Sequence, residues 1–163
     1  MVSKVSTVLW FDKGGEAAAK FYVSLIPNSR ITNTVSPPMG EQQRDDGDAL
    51  VVEFELNGSP YQILSAGPHF KQSEAVSIMV QTDDQAETDR YWNAITQNGG
   101  EESQCGWCKD KWGFSWQITP RVLIDAFNQG GETAKRAFEA MMPMKKIDVA
   151  TIEAAVRGET VNA

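Results

Sequence analysis

The chain is poor in the residues that most site chemistry needs. Its 163 residues include one histidine, His69, and two cysteines, Cys105 and Cys108. A closed zinc site of the Cys/His type takes four such ligands, so three cannot complete one. Long apolar runs are also missing, and nothing approaches the roughly 18 residues of a membrane span. The opening MVSKVSTVLWFD carries one lysine and a short apolar run that ends in an acid, which is not the pattern of a signal peptide. The expectation is a cytoplasmic protein with no membrane partner. Basic clusters are absent beyond Lys145-Lys146, and the net charge is −7. An acidic balance repels phosphate backbones, so nucleic acid is not expected as a partner. No nucleophile elbow, phosphate loop or Ser/His/Asp arrangement is visible.

What is present is a pattern used twice. VSTVLWF (5–11) reads as a strand, GEAAAKFYVSLI (15–26) as a helix, and RITNTVS (30–36) as a second strand. The polar stretch PPMGEQQRDDGD (37–48) reads as a loop. ALVVEFEL (49–56) and SPYQILSA (59–66) flank Asn57-Gly58, a strong hairpin signal. In the second half, AVSIMVQT (75–82) is a strand and AETDRYWNAI (86–95) a helix. Tyr91, Trp92 and Ile95 answer Phe21, Tyr22 and Leu25 at an offset of 70. Short strands near 101–105 and 107–110 and a last strand at 111–120 should follow. There Trp116-Gln117-Ile118 answers Tyr61-Gln62-Ile63 at an offset of 55. The pattern predicts an internal duplication of a βαβββ unit, hence an α+β fold. The modules fall at 1–70 and 71–120, with a helical extension at 121–163 inside one compact domain. Its helices are expected at 121–128, 132–142 and 148–156, the last capped by Asp148 and stapled by Ile147 and Ile152.

A sheet with a helix on one face leaves the other to be covered or used. Two such sheets can curl into a cup lined by alternate residues. On the last strand Trp112, Phe114, Trp116 and Ile118 share one face, suited to the helix, while Ser115, Gln117 and Thr119 share the other. The same parity turns Gln62, and Ser77, Met79 and Gln81, towards the cup. Gln62 and Gln117 can orient a ligand by hydrogen bonds or satisfy one another. His69, in AGPHFK, is a candidate for binding substrate or moving a proton, or a loop histidine held by a carbonyl. Trp107 and Phe70 can frame an apolar ligand or simply pack. Asp45-Asp46 and Asp83-Asp84 read as solvated charges.

Four stretches, LWFDKGGEAAAKFY, FELNGSPYQILSAGPHF, CGWCKDKWGFSWQITP and MMPMKKIDVATIEAA, carry a resemblance over residues 9–155. The chain resembles the vicinal-oxygen-chelate superfamily of glyoxalase, bleomycin-resistance and extradiol-dioxygenase proteins. Within it, the chain is similar to the PhnB-like branch, often labelled 3-demethylubiquinone 3-methyltransferase. The resemblance implies a glyoxalase-like cup. In metal-using members, a divalent ion is held by one side chain from the first and last strand of each module. The last-strand places match Gln62 and Gln117. The first-strand places fall at or near Val5 and Ala75, or two residues on at Thr7 and Ser77, none of them a ligand suited to a catalytic cation. No metal or other cofactor is expected, though weak binding of a divalent ion stays open. A methyl-donor fold is not expected either, because no GxGxG follows KGGEAAA.

Cys105-Gly106-Trp107-Cys108 resembles a redox motif but lacks the following helix that would lower a thiol pKa. A crossing between strands at the rim of the cup, with both thiols reduced, is the plainer reading. The sequence therefore points to metal-independent binding of a small, partly apolar molecule. Gln62, His69, Ser77, Trp107 and Gln117 are the candidate ligand-binding residues, His69 is the candidate for catalysis, and the protein is expected to be a homodimer. The alternatives are a divalent-metal-dependent lyase, isomerase or dioxygenase, and a domain whose work is its interface.

Overall fold

The structure is a computed structural model that describes residues 4–36 and 49–159. The 37–48 loop and its Asp45-Asp46 pair lie outside the described residues. The chain divides into two compact units, Met1–Gln72 and Ser73–Ala163. No helix among the described residues is long and apolar enough to cross a membrane.

In the first unit, β1 (Thr7–Phe11) leads to α1 (Gly15–Leu25), then β2 (Arg30–Val35), β3 (Val51–Leu56) and β4 (Ser59–Ser65). The sheet order is β1-β4-β3-β2, with β1 parallel to β4 and the other pairs antiparallel. The β3–β4 turn is made by Asn57 and Gly58 at φ 46° and 81°, the left-handed pair that a tight hairpin needs. Period-two alternation buries Leu9, Phe11, Val52, Phe54, Leu56, Ile63 and Ser65. From α1 come Ala18, Ala19, Tyr22 and Leu25. Gly15 allows the helix to start hard against β4: a Cβ there would collide with Ser65 Oγ and Ile63 Cγ2.

The second unit repeats this plan. It runs β5 (Ser77–Thr82), α2 (Gln85–Thr96), β6 (Glu101–Glu102), β7 (Trp107–Lys109) and β8 (Ser115–Pro120). Its sheet order, β5-β8-β7-β6, is that of the first unit, again with the first and last strands parallel. Tyr91, Trp92 and Ile95 of α2 are buried, as are Trp116 and Ile118 of β8. Asp84 caps α2 by accepting from Glu87 N at 2.8 Å, so this acid is a structural cap as well as a surface charge.

The expected strand at 111–120 is shortened to Ser115–Pro120 by one side chain. Asp110 is 4% exposed. Its Oδ1 accepts from the backbone N–H of Trp112 and of Phe114 at 2.9 and 3.0 Å, and its Oδ2 accepts from Trp116 Nε1 at 3.0 Å. These bonds fold KDKWG into a turn, with Gly113 at φ 81°. Trp112 therefore leaves the strand, while Phe114 stays buried against Trp116.

The C-terminal extension belongs to the second unit as α3 (Arg121–Gln129), α4 (Gly131–Met141) and α5 (Val149–Arg157). Leu123, Ala126, Ala137, Ile147 and Ile152 form its core. Asp148 caps α5 through Thr151 N at 2.7 Å, and Ile147 and Ile152 are both fully buried. Arg136 closes the other end of α5 by donating to the carbonyls of Ala155 and Val156.

The CGWC stretch is where this extension attaches. Cys105 N and Gly106 N donate to the carbonyls of Met144 and Lys145, each at 2.7 Å. Cys105 and Gly106 both hold positive φ, 58° and 83°. A Cβ on Gly106 would stand 2.8 Å from the Ile118 carbonyl oxygen and 3.1 Å from Ile147 Cγ1. No helix starts here, since β7 follows. Both thiols are free, and Cys108 is buried opposite Trp116. Burial, with the Asp110 and Glu102 carboxylates adding to it, pushes the Cys108 thiol up to about 12.

Two outcomes follow. Asp110→Ala removes the acceptor of three hydrogen bonds and should cost about 3 kcal/mol in urea unfolding, with Asp110→Asn milder because one oxygen remains. An unfolded thiol titrates near pH 8.5. Above that value the unfolded chain releases the Cys108 proton while the folded chain retains it, so stability falls as pH rises towards 12. Urea midpoints measured from about pH 8 to about pH 11 should decline less steeply in Cys108→Ala.

Candidate functional site

In each unit, burying one set of alternate residues against the helix turns the other set to the opposite face. In the first unit the register sets Val8 of β1 beside Gln62 of β4, Gln62 beside Glu53 of β3, and Glu53 beside Asn33 of β2. The next row is Trp10, Leu64, Val51 and Val35. Gln62 Nε2 donates to Glu53 Oε1 at 3.5 Å. Val8 is 54% exposed beside this pair.

In the second unit the corresponding row is Met79, Gln117 and Trp107. Gln117 Nε2 donates to Ser77 Oγ at 2.8 Å. Met79 stands open beside them. Ser115, next to Ser77 in register, is buried, and its hydroxyl has no hydrogen-bond partner among the described residues. Lys109, opposite Ser115, pairs with Glu74 at 2.5 Å, and that contact holds the Glu74 carboxyl below its usual range.

The sequence-derived candidates thus fall into two groups. Ser77, Trp107 and Gln117 are brought together on one sheet face of the second unit. Gln62 and His69 belong to the first unit but not to one cluster. His69 is exposed and turns its ring edge-on to Trp10, with centroids 6.4 Å apart, one row along from Gln62. Phe70 makes a nearly perpendicular contact with the same indole at 4.9 Å and 87°. Trp10 is fixed from both ends: its indole N–H donates to Gly67 O at 2.8 Å, and its carbonyl accepts from the Gln72 side chain.

Val5 and Ala75, the first-strand places the resemblance implies, precede the strands; in register Val8 and Met79 stand beside Gln62 and Gln117, and Ser77, two residues on from Ala75, bonds Gln117. Thr7 shares the parity of Leu9 and Phe11 and so belongs to the helix side of its sheet. Glu53 is the residue that sequence reasoning missed. It sits beside Gln62 on the middle strand of VVEFEL, where alternation with buried Val52, Phe54 and Leu56 already turned it outwards.

A divalent ion held as the resemblance implies would need a donor on the first strand of each unit. Valine offers none and methionine only a soft thioether, so these residues do not fit such an ion. Among the described residues no three His, Cys, Asp or Glu side chains converge.

Comparison with known proteins places this geometry. The PhnB protein from Bacillus cereus superposes with a TM-score of 0.65 at 26% identity, over 72% of this chain and 99% of that one. Protein PA1353 from Pseudomonas aeruginosa gives a TM-score of 0.59 at 16% identity, over 73% and 98%. A glyoxalase/bleomycin resistance protein from Albidiferax ferrireducens T118 gives 0.48 at 14% identity, over 73% and 99%. No curated protein matches the chain at significant similarity. The profile of the 3-demethylubiquinone-9 3-methyltransferase family matches residues 3–119, which span both βαβββ units to within one residue, and the chain belongs to that PhnB-like family.

Proposed function

We propose that this protein binds a small, partly apolar molecule on the sheet faces turned away from α1 and α2, without using a metal ion. The observation that carries this reading is the repeated row of a glutamine beside an open apolar side chain: Gln62 with Val8, and Gln117 with Met79. An amide beside exposed hydrocarbon offers direction to a polar group and burial to an apolar one. A symmetric dimer belongs to this proposal, such pairs being the commonest assembly.

Two activities receive less support. A metal-dependent lyase, isomerase or dioxygenase would need first-strand donors in place of Val8 and Met79. Methyl transfer, which the family description names, would need a glycine-rich turn open to a methyl donor after a first strand of a doubly wound sheet. Here Gly15 of KGG is taken up by close contact of α1 with Ile63 and Ser65, and among the described residues each sheet has one parallel pair.

The test is a thermal-shift and metal analysis of the purified full chain. Amphipathic small molecules from a defined panel should raise Tm, and Gln117→Leu should reduce that rise several-fold. Zn²⁺, Ni²⁺ and Mn²⁺ should leave Tm unchanged. A transition metal at one equivalent per chain would refute the proposal.

A further inference from the structure

The duplication places different chemistry at one equivalent position. Beside Gln62 stands Glu53, whereas beside Gln117 stands Trp107. Glu53 fixes the orientation of its neighbour. An ionised carboxylate only accepts hydrogen bonds, so Gln62 must turn its NH₂ towards Glu53 and its carbonyl oxygen away. The first unit therefore offers acceptors: the Gln62 carbonyl and the remaining capacity of the Glu53 carboxylate. In the second unit Gln117 donates to a serine hydroxyl, which can still donate onward.

Among the described residues Glu53 has no counter-charge. Its neighbour Glu55 pairs with Arg30 at 2.8 Å, but among the described residues no cation pairs with Glu53. It is half-buried and shares its row with Val8. A carboxylate held against hydrocarbon without a cation is poorly compensated, and a cation brought to it gains more than one paired in open water.

The adjoining row ends in an aromatic corner. Trp10 and Phe70 meet at 87°, and Phe70 is 65% exposed. Ring faces at right angles accept an apolar or aromatic body and favour positive charge nearby. Strands lie about 4.8 Å apart, so the two strand steps from β1 to β3 amount to about 10 Å. That suits one small molecule with an apolar end and a polar end.

We infer that the first unit selects a ligand with a cationic hydrogen-bond-donor head, an amine or amidinium, held by Glu53 and the Gln62 carbonyl, and an aromatic body held by Trp10, Phe70 and Val8. The inference rests on the small-molecule reading above and assigns its chemical class.

The experiment uses three probes that share one skeleton, tryptamine, tryptophol and indole-3-propionate, titrated into the ¹⁵N-labelled full chain at low salt. Tryptamine should bind about tenfold more tightly than tryptophol, and indole-3-propionate should bind most weakly. The shifted resonances should include Val8, Trp10 and Gln62. Glu53→Gln should abolish the amine preference and leave tryptophol affinity unchanged, whereas Glu55→Gln, at the carboxylate already paired, should preserve the preference. Trp10→Ala should weaken all three probes together. Should Glu53→Gln not fold, the ratio of tryptamine to tryptophol affinity in the native protein decides alone. Equal affinities, or a preference that survives Glu53→Gln, would overturn this inference and leave the small-molecule reading standing. Absence of any shift in these residues with all three probes would also overturn it, and the thermal-shift panel would then judge the broader reading separately.

Discussion

Burial of Ile63 against α1, and of Trp116 and Ile118 against α2, governs what each sheet can do on its other side. In a strand the choice for one residue is the choice for all, because side chains alternate strictly. Once the large apolar groups take the helix side, Gln62 and Gln117 have no alternative but the opposite face. A single-residue slip of β4 or β8 would drive those amides into the core and expose the tryptophan and isoleucines. The cost of that exchange, several buried side chains at about 2 kcal/mol each, holds the candidate site in register.

The two units share strand order and parallel pairing, yet their open faces have diverged. One carries a carboxylate and an aromatic corner, the other a serine–glutamine pair, a tryptophan and a buried hydroxyl. Duplication supplies a scaffold whose core requirement is identical in both copies, so the helix-facing positions stay aromatic or aliphatic. The outward positions carry no such requirement and are free to specialise. Fold and function are therefore written on alternate residues of the same strands, and a shared family description constrains the first set far more than the second.

Most of the architecture was legible because it rests on local rules. Asn57-Gly58 announced its hairpin, Asp148 its cap, and the 70-residue offset of Tyr91, Trp92 and Ile95 the repeated helix. Gln62, Ser77 and Gln117 could be assigned to a face by parity alone. The errors arose where a side chain acted on the backbone at a distance of a few residues. Alternation in KWGFSW looks like strand throughout, but Asp110 bends its first half into a turn by capturing two N–H groups. Register between Val8 and Gln62 is a long-range pairing that composition does not reveal, so Val8 is not legible as the partner of Gln62, whereas parity does turn Ser77 and Met79 to the face of Gln117. Glu53 is readable in VVEFEL by its alternation with Val52, Phe54 and Leu56, but its pairing with Gln62 is set by the β3–β4 register. His69 could be placed after the strand that carries Gln62, but not against Trp10, which the fold of a loop brings to it.

The join between the CGW turn and residues 144–145 is made by main-chain atoms on both sides. A peptide N–H and a carbonyl look the same whatever side chain they carry, so these two hydrogen bonds survive substitution at 144 and 145, although Met144 also packs on the tail's core and Lys145 pairs with Glu102. Gly106 has no such freedom, since even a methyl group would meet the Ile118 carbonyl. The attachment of the helical tail is thus tolerant to drift in the tail and intolerant in the sheet. Relatives of this chain that carry a similar tail should be recognisable by that one glycine, long after the tail's own sequence has ceased to align.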